Sequence, residues 1–183
     1  LILDAYRPHS SWYLHNAHGI HGLGHAARVL LWADQIAQAL LQEGTWLDLE
    51  AVRWAAALHD VGRVDDGRDR PHGQRTADWI VTRPHPWPFL QDPQRLQRVI
   101  YCCAWHTPRD ELIPQMTSEL VCLKDADALD RVRIHDLNPA WLRTTRAAAS
   151  VGLAWELFEE SVRSRGDPWS AVRECALRMG LWR

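Results

Sequence analysis

No stretch of this 183-residue chain is apolar for long enough to span a bilayer, which takes about 20 residues, and no window gathers the basic cluster that a nucleic-acid groove needs. Charge is nearly balanced, with 21 Lys and Arg against 23 Asp and Glu. Capture of a duplex or of an anionic membrane by charge is therefore not implied, whereas a small, local anionic ligand is still allowed. Cysteine is scarce. Cys102 and Cys103 are adjacent, Cys122 and Cys175 stand alone, and no Cys-x-x-Cys spacing exists, which removes the thiolate-zinc and dithiol-redox classes and leaves buried free thiols. No phosphate-binding or dinucleotide-binding glycine loop is present; Gly19, Gly22 and Gly24 do not follow a strand and read as turn residues ahead of a helix. The start, Leu1-Ile-Leu-Asp-Ala-Tyr-Arg7, lacks the basic-then-apolar layout of a signal peptide, so the expectation is a cytoplasmic chain without a membrane partner.

Strand alternation and 20- to 50-residue repeats are missing too; what is present is helical periodicity. The spacing predicts a helix from Leu23 to Leu41, closed by Gly44. A second follows the cap Asp48 and is stopped near His59-Asp60 by Gly62; others run from Gln94 to His106 and from Thr117 to Arg133. Asn138-Pro139 and Asp167-Pro168 each place a capping side chain before a proline and are expected to open two more helices. The prolines between Thr82 and Pro93 exclude regular helix there and predict a loop that can act as a lid. The fold class is all-α, a helical bundle of one domain over residues 1–183, with helices after 138 as its C-terminal part. Eleven tryptophans supply buried area and would permit an apolar dimer surface.

Three of these helices aim a histidine inward. His25 shares a stripe with Val29, Trp32 and Ile36; His59 aligns with Leu49, Val52 and Ala56; His106 follows Leu96, Val99 and Cys103. Any one of them reads as a hydrogen-bonded core residue. Together, beside carboxylates, they leave several polar groups at about 1–3 kcal/mol each to be compensated, and a divalent cation does that. A further acidic contribution comes from Lys124-Asp-Ala-Asp-Ala-Leu-Asp-Arg131, where periodicity does not choose between Asp125 and Asp127. Asp125 and Asp130 also fit an acidic helix surface pairing with Lys124, Arg131 and Arg133. His21, one turn before His25, reads as a loop residue or a support for the site, and His9, His15, His18, His85 and His135 as solvated.

The order His25, His59-Asp60, then an aspartate in Ala-Asp-Ala-Leu, with the local strings His25-Ala-Ala-Arg-Val29, Ala57-Leu-His-Asp-Val-Gly62 and Lys124-Asp-Ala-Asp-Ala-Leu129, resembles the HD-domain superfamily of metal-dependent phosphohydrolases over about residues 20 to 131. The resemblance implies Asp127 as the last ligand. It also implies an enlarged set of His25, His59, Asp60, His72, His106 and Asp127: Asp60 bridges two ions, His25, His59 and Asp127 complete one, and His72 and His106 the other. One or two divalent ions are expected, of Mn, Fe, Mg or Co type, since imidazole mixed with carboxylate suits these. Such an ion lowers the pKa of bound water from about 16 toward about 7 and presents it to a phosphoryl group. Asp60, Arg63 and Lys124 are the expected catalytic residues, the two cations neutralising charge on the transferred group; Arg68 and Arg70 are further candidates for the phosphate, or else belong to a solvated loop. The expected activity is hydrolysis of a phosphate ester or anhydride of a small phosphorylated metabolite, a nucleotide foremost. The alternatives are a di-iron oxygenase of the same superfamily, acting on a small polyol or phosphonate, and a non-catalytic, metal-stabilised binding module.

Overall fold

The computed structural model describes residues 1–83 and 91–182, and among them it contains helices and turns without a strand. Eight α-helices follow in order: α1 (Leu23–Gln42), α2 (Leu49–Leu58), α3 (His72–Thr82), α4 (Pro93–Trp105), α5 (Ser118–Leu129), α6 (Thr145–Ala149), α7 (Val151–Arg163) and α8 (Pro168–Arg178). Short 3-10 turns lie at Ile2–Tyr6, Ser10–Trp12, Asp110–Leu112, Asp130–Ile134 and Pro139–Trp141.

Helix α1 is apolar around most of its girth, with Ala27, Val29, Leu30, Leu31, Ala33 and Ala37 all buried, and a helix of that kind belongs in the middle of a bundle. It packs against α2, α5 and α8; α2 also lies on α4 and α5, α3 pairs with α4, and α7 with α8. Trp32 and Trp169 are among the largest wholly buried side chains, whereas Trp46 and Trp141 stay exposed. All four cysteines are buried free thiols. Among the described residues no helix is long and apolar enough to cross a membrane.

The caps explain most helix starts. Asp48 accepts from the Ala51 amide, Thr117 from Leu120 and Asp167 from Ser170, each satisfying a donor that the first turn leaves open. Pro93 does not exclude helix but opens α4 at its first position, with Asp92 capping the amides of Gln94 and Arg95. Asn138-Pro139 starts only a three-residue 3-10 turn, and the regular helix of this region begins after the cap Thr144. Helix α5 ends at Leu129 and tightens into a 3-10 turn over Asp130–Ile134, short of the predicted Arg133. Helix α3, seven of whose first eleven positions are polar or glycine in a Pro- and Asp-bounded stretch, had no counterpart in the expected helices. The expected loop from 82 to 93 falls largely on residues 84–90, and with His85 it lies outside the described residues.

Candidate metal centre

Four helices deliver the histidines to one point. His25 is the third residue of α1, His59 closes α2 with Asp60 after it, His72 opens α3 and His106 closes α4; all five are buried. Asp127, on α5, is half-buried. The arrival of α3 depends on close approach. A side chain on Gly62 would sit 2.6 Å from the Thr76 amide, and one on Gly73 2.6 Å from the Cys103 carbonyl. Gly62 therefore does more than stop α2: its amide donates to the Thr76 hydroxyl (3.0 Å), which donates in turn to the His59 carbonyl (2.9 Å), stapling α3 to the His59-Asp60 turn.

Each imidazole is oriented through its Nδ1. That of His59 faces the Ala56 carbonyl (2.9 Å), that of His106 the Cys103 carbonyl (2.7 Å), that of His72 the Asp69 carbonyl, and that of His25 the Asp130 carboxylate (2.7 Å). A carbonyl only accepts, so these Nδ1 atoms carry the hydrogens and the Nε2 lone pairs turn inward. The Nε2 atoms of His25 and His59 meet at 3.0 Å, and those of His72 and His106 at 2.9 Å. Two lone pairs at such a distance repel unless positive charge lies between them, and that is the test by which this donor set fits a metal ion.

Asp60 stands between the pairs. Its Oδ2 is 3.3 Å from His25 Nε2 and 3.8 Å from His59 Nε2, while Oδ1 is 2.9 Å from His72 Nε2 and 3.7 Å from His106 Nε2. Asp127 Oδ1 lies 3.5 Å from His25 Nε2. His25, His59 and Asp127 form one group able to hold an ion, and His59, Asp60 and His106 another. The six residues His25, His59, Asp60, His72, His106 and Asp127 are thus brought together.

Electrostatics agree with a cation-shaped centre. Burial drives the His59 imidazolium down to about 3, with the neighbouring His25 and His106 adding to burial against the pull of Asp60. For His25, burial and Arg133 act downward, but the bonds to Asp130 and Asp60 outweigh them and its pKa rises. The pair as a unit favours positive charge between its facing nitrogens. Burial alone would raise Asp60 and Asp127, yet His59, His106, His21 and His25 hold Asp60 well below the usual carboxylate range, and His25, His59 and Arg133 do the same for Asp127. Two ionised carboxylates beside a buried His59 held neutral present negative charge that a divalent ion compensates.

Two aspartates read as surface residues are wholly buried. Asp130 accepts from His25 and from the Arg28 guanidinium, and although burial acts to raise it, Arg28 and His25 bring its carboxyl down to about 2. Asp125 accepts from the amides of Arg143 and Thr144, the Thr144 hydroxyl and the Arg143 side chain, fixing the loop after α5. Both findings correct the surface placement: Asp130 keeps the expected pairing with Arg133, but its other partners and those of Asp125 lie on other elements, where helical periodicity does not reach. Of the two places expected for His21 the structure gives the supporting one, with Nδ1 2.8 Å from Asp60 Oδ2 and 3.0 Å from Arg133 Nη2, and His21, His25 and Asp60 form a further group able to hold an ion. Its spacing of one turn from His25 was the available signal. His9, His15, His18 and His135 are exposed.

The centre opens into a cleft of about 1060 Å3, lined by Asp60, His72, His106 and Asp127 but not by His25 or His59. Arg63 and Lys124 line it too, with most of their donors committed to carbonyls. Arg63 bonds Asp65 and Gly67 and rests against the His72 ring; Lys124 bonds His106 and Pro108. Burial, opposed by Asp110 and reinforced by Arg143, lowers the Lys124 pKa. Arg68, Arg70 and Arg109 also line the cleft, are exposed, and have no side-chain hydrogen bond or ion pair among the described residues.

The chain matches the family model described as HD domain over residues 22–132, a span that holds all six clustered residues. No match was found among curated proteins or solved structures. HD domains bind divalent metals and carry metal-dependent, hydrolase-type chemistry, and the matched span covers more than half of the sequence. By that match and by the His and Asp cluster inside it, the chain belongs to the HD-domain family.

Proposed function

We propose that the chain hydrolyses a phosphate ester or anhydride of a small phosphorylated metabolite, a nucleotide foremost, using two divalent ions. In this reading His25, His59 and Asp127 would hold one ion, His72 and His106 the other, and Asp60 would serve both. Bound ions of this kind supply an activated water and a Lewis acid for the phosphoryl oxygens.

The chain's own residues do the rest. The Nδ1 bonds hold each Nε2 toward the centre before substrate arrives, so no reorganisation is needed at the moment of reaction. Arg68, Arg70 and Arg109 bind the phosphate; Arg63 and Lys124 act through the loops they hold, since Arg63 bonds the carbonyls just before Arg68, and Lys124 the carbonyl just before Arg109. The observation that carries the reading is the coincidence in one cleft of a histidine and carboxylate cluster with three exposed arginines that make no ion pair among the described residues.

A panel of phosphorylated metabolites, assayed with Mn, tests it. Phosphate or pyrophosphate release from at least one member is expected, with loss of about a thousandfold or more in Asp60→Ala. Two irons with substrate-dependent oxygen uptake, and no release from any member, would replace this reading with the oxygenase one. Turnover in neither assay, with ligand binding intact, would leave a binding module.

A further inference from the structure

One wall of the cleft lies outside the residues matched to the HD family. It is formed by Ala140, Trp141, Leu142 and Arg143, on and after the 3-10 turn Pro139–Trp141. Trp141 is 48 % exposed although it belongs to the same cleft as Asp60, His72 and His106. The Arg131 guanidinium lies over its ring at 5.3 Å, and no second ring contact is made among the described residues.

The turn is held firmly. Asn138 caps it through the Ala140 amide, and Arg143 Nη1 donates to the Trp141 carbonyl at 3.1 Å. Arg143 and Thr144 are anchored in turn by four donors to the buried carboxylate of Asp125, two residues before Asp127 on the same helix. The helix that carries a metal-facing carboxylate therefore also fixes the distance to this indole. A large flat ring, partly in water, backed by a cation and rigidly tied to the reaction centre, is suited to stacking on another flat ring.

We propose that Trp141 is the platform on which the cleft stacks the base of a nucleoside phosphate, with the phosphate directed toward Asp60 and the free arginines. This rests on the phosphohydrolase reading and deepens it: the indole separates nucleoside phosphates from plain sugar phosphates. Arg68, Arg70 and Arg109 act on the phosphate that both ligands share, so they give affinity without that distinction. A cleft of about 1060 Å3 is large enough for base, sugar and phosphate together.

Binding of non-hydrolysable probes tests the idea without requiring turnover. Calorimetry on the Mn-loaded protein would compare the 5′-phosphonates of adenosine, guanosine, cytidine and thymidine with ribose 5-phosphonate. At least one nucleoside phosphonate is expected to bind about tenfold or more tightly than the ribose compound. Trp141→Ala should remove that preference while leaving ribose phosphonate affinity within about twofold; Trp141→Phe should keep most of it, and Trp46→Ala, at an exposed tryptophan absent from the cleft lining, all of it. Absence of any nucleoside preference, or equal weakening of both ligands in Trp141→Ala, overturns the proposal. A preference that depends on Trp141 in a protein that hydrolyses nothing would uphold the platform while removing the hydrolase reading.

Discussion

The two pairs of imidazoles face one carboxylate from opposite sides, yet they are held by different means. His25 and His59 are themselves almost wholly buried, do not line the cleft, and have Asp127 beside them; His25 is oriented by a carboxylate, Asp130, which is itself paired with Arg28. His72 and His106 sit at helix ends, line the cleft, and face main-chain carbonyls through Nδ1, with the Arg63 side chain against the His72 ring and Gly62 and Gly73 allowing the close approach of α3. One half of the centre is enclosed and braced by the buried pair of Asp130 and Arg28; the other is open to the cleft, with the Arg63 guanidinium beside His72 and Asp60. Under the proposed assignment the enclosed half would offer an ion two carboxylates and two imidazoles, and the open half one carboxylate oxygen and two imidazoles. Affinity should therefore be greater inside, and exchange with solvent and contact with substrate greater outside.

Removing one imidazole from each half should separate the two most strongly. His25→Ala is expected to lower activity by about a hundredfold or more and to cost both ions, since the inner ion fixes Asp60 for the outer one. His72→Ala should lower activity comparably but retain one ion per chain. Metal analysis of the purified variants reads the difference directly. Equal loss of metal in the two would show that the halves do not differ.

Asp130→Asn comes next. It keeps an oxygen for the His25 Nδ1 hydrogen but removes the charge that pairs with Arg28. Metal affinity at the inner half should fall about tenfold to a hundredfold, with the outer half unchanged at saturating metal. A titration with Mn that shows both sites weakened together would argue against separate bracing.

These contrasts also mark what the sequence made legible. His25, His59 and His106 could be read because each lies on an apolar stripe of its own helix, and Asp127 because the Ala-Asp-Ala-Leu context resembles a family pattern. His72 was reachable only through that resemblance: its helix is short and polar, and its position depends on Gly62 and Gly73 meeting Thr76 and Cys103. Asp130 was misread as a surface residue because Arg131 and Arg133 follow it; Arg133 does pair with it, but its closest partners, His25 and Arg28, lie about a hundred residues earlier and bury it. The freedom of Arg109 is likewise a tertiary fact, set by which carboxylates are already taken.

Acid should expose the bracing in the metal-free protein. The Asp130 carboxyl sits at about 2 in the fold against an ordinary 3.8, so its folded-state pKa is depressed. Its contribution, on the order of 2 kcal/mol, is fully present above about pH 4 and is lost as pH falls through about 2. Melting curves between pH 5 and pH 2.5 should fall more steeply for wild type than for Asp130→Asn. Parallel curves would mean that the buried carboxylate adds nothing to the inner half.

The smallest effect concerns where the cations of each half are used. Arg28 and Arg133 both bond Asp130, through its side chain and its carbonyl respectively, so the inner half has no arginine left over, whereas Arg109 follows His106 by three residues and is unpaired in the cleft. Replacing Arg109 with alanine should raise KM for the phosphorylated substrate about threefold to tenfold, with kcat within about twofold and metal content unchanged. The wild-type KM should climb with ionic strength, and that of the variant less steeply, because the lost contact is an exposed one that salt screens. Arg28→Met should do the reverse, lowering metal content at the inner half while sparing KM once metal is saturating. If both substitutions altered KM and metal content alike, the division into a braced half that holds metal and an open half that meets substrate would fail.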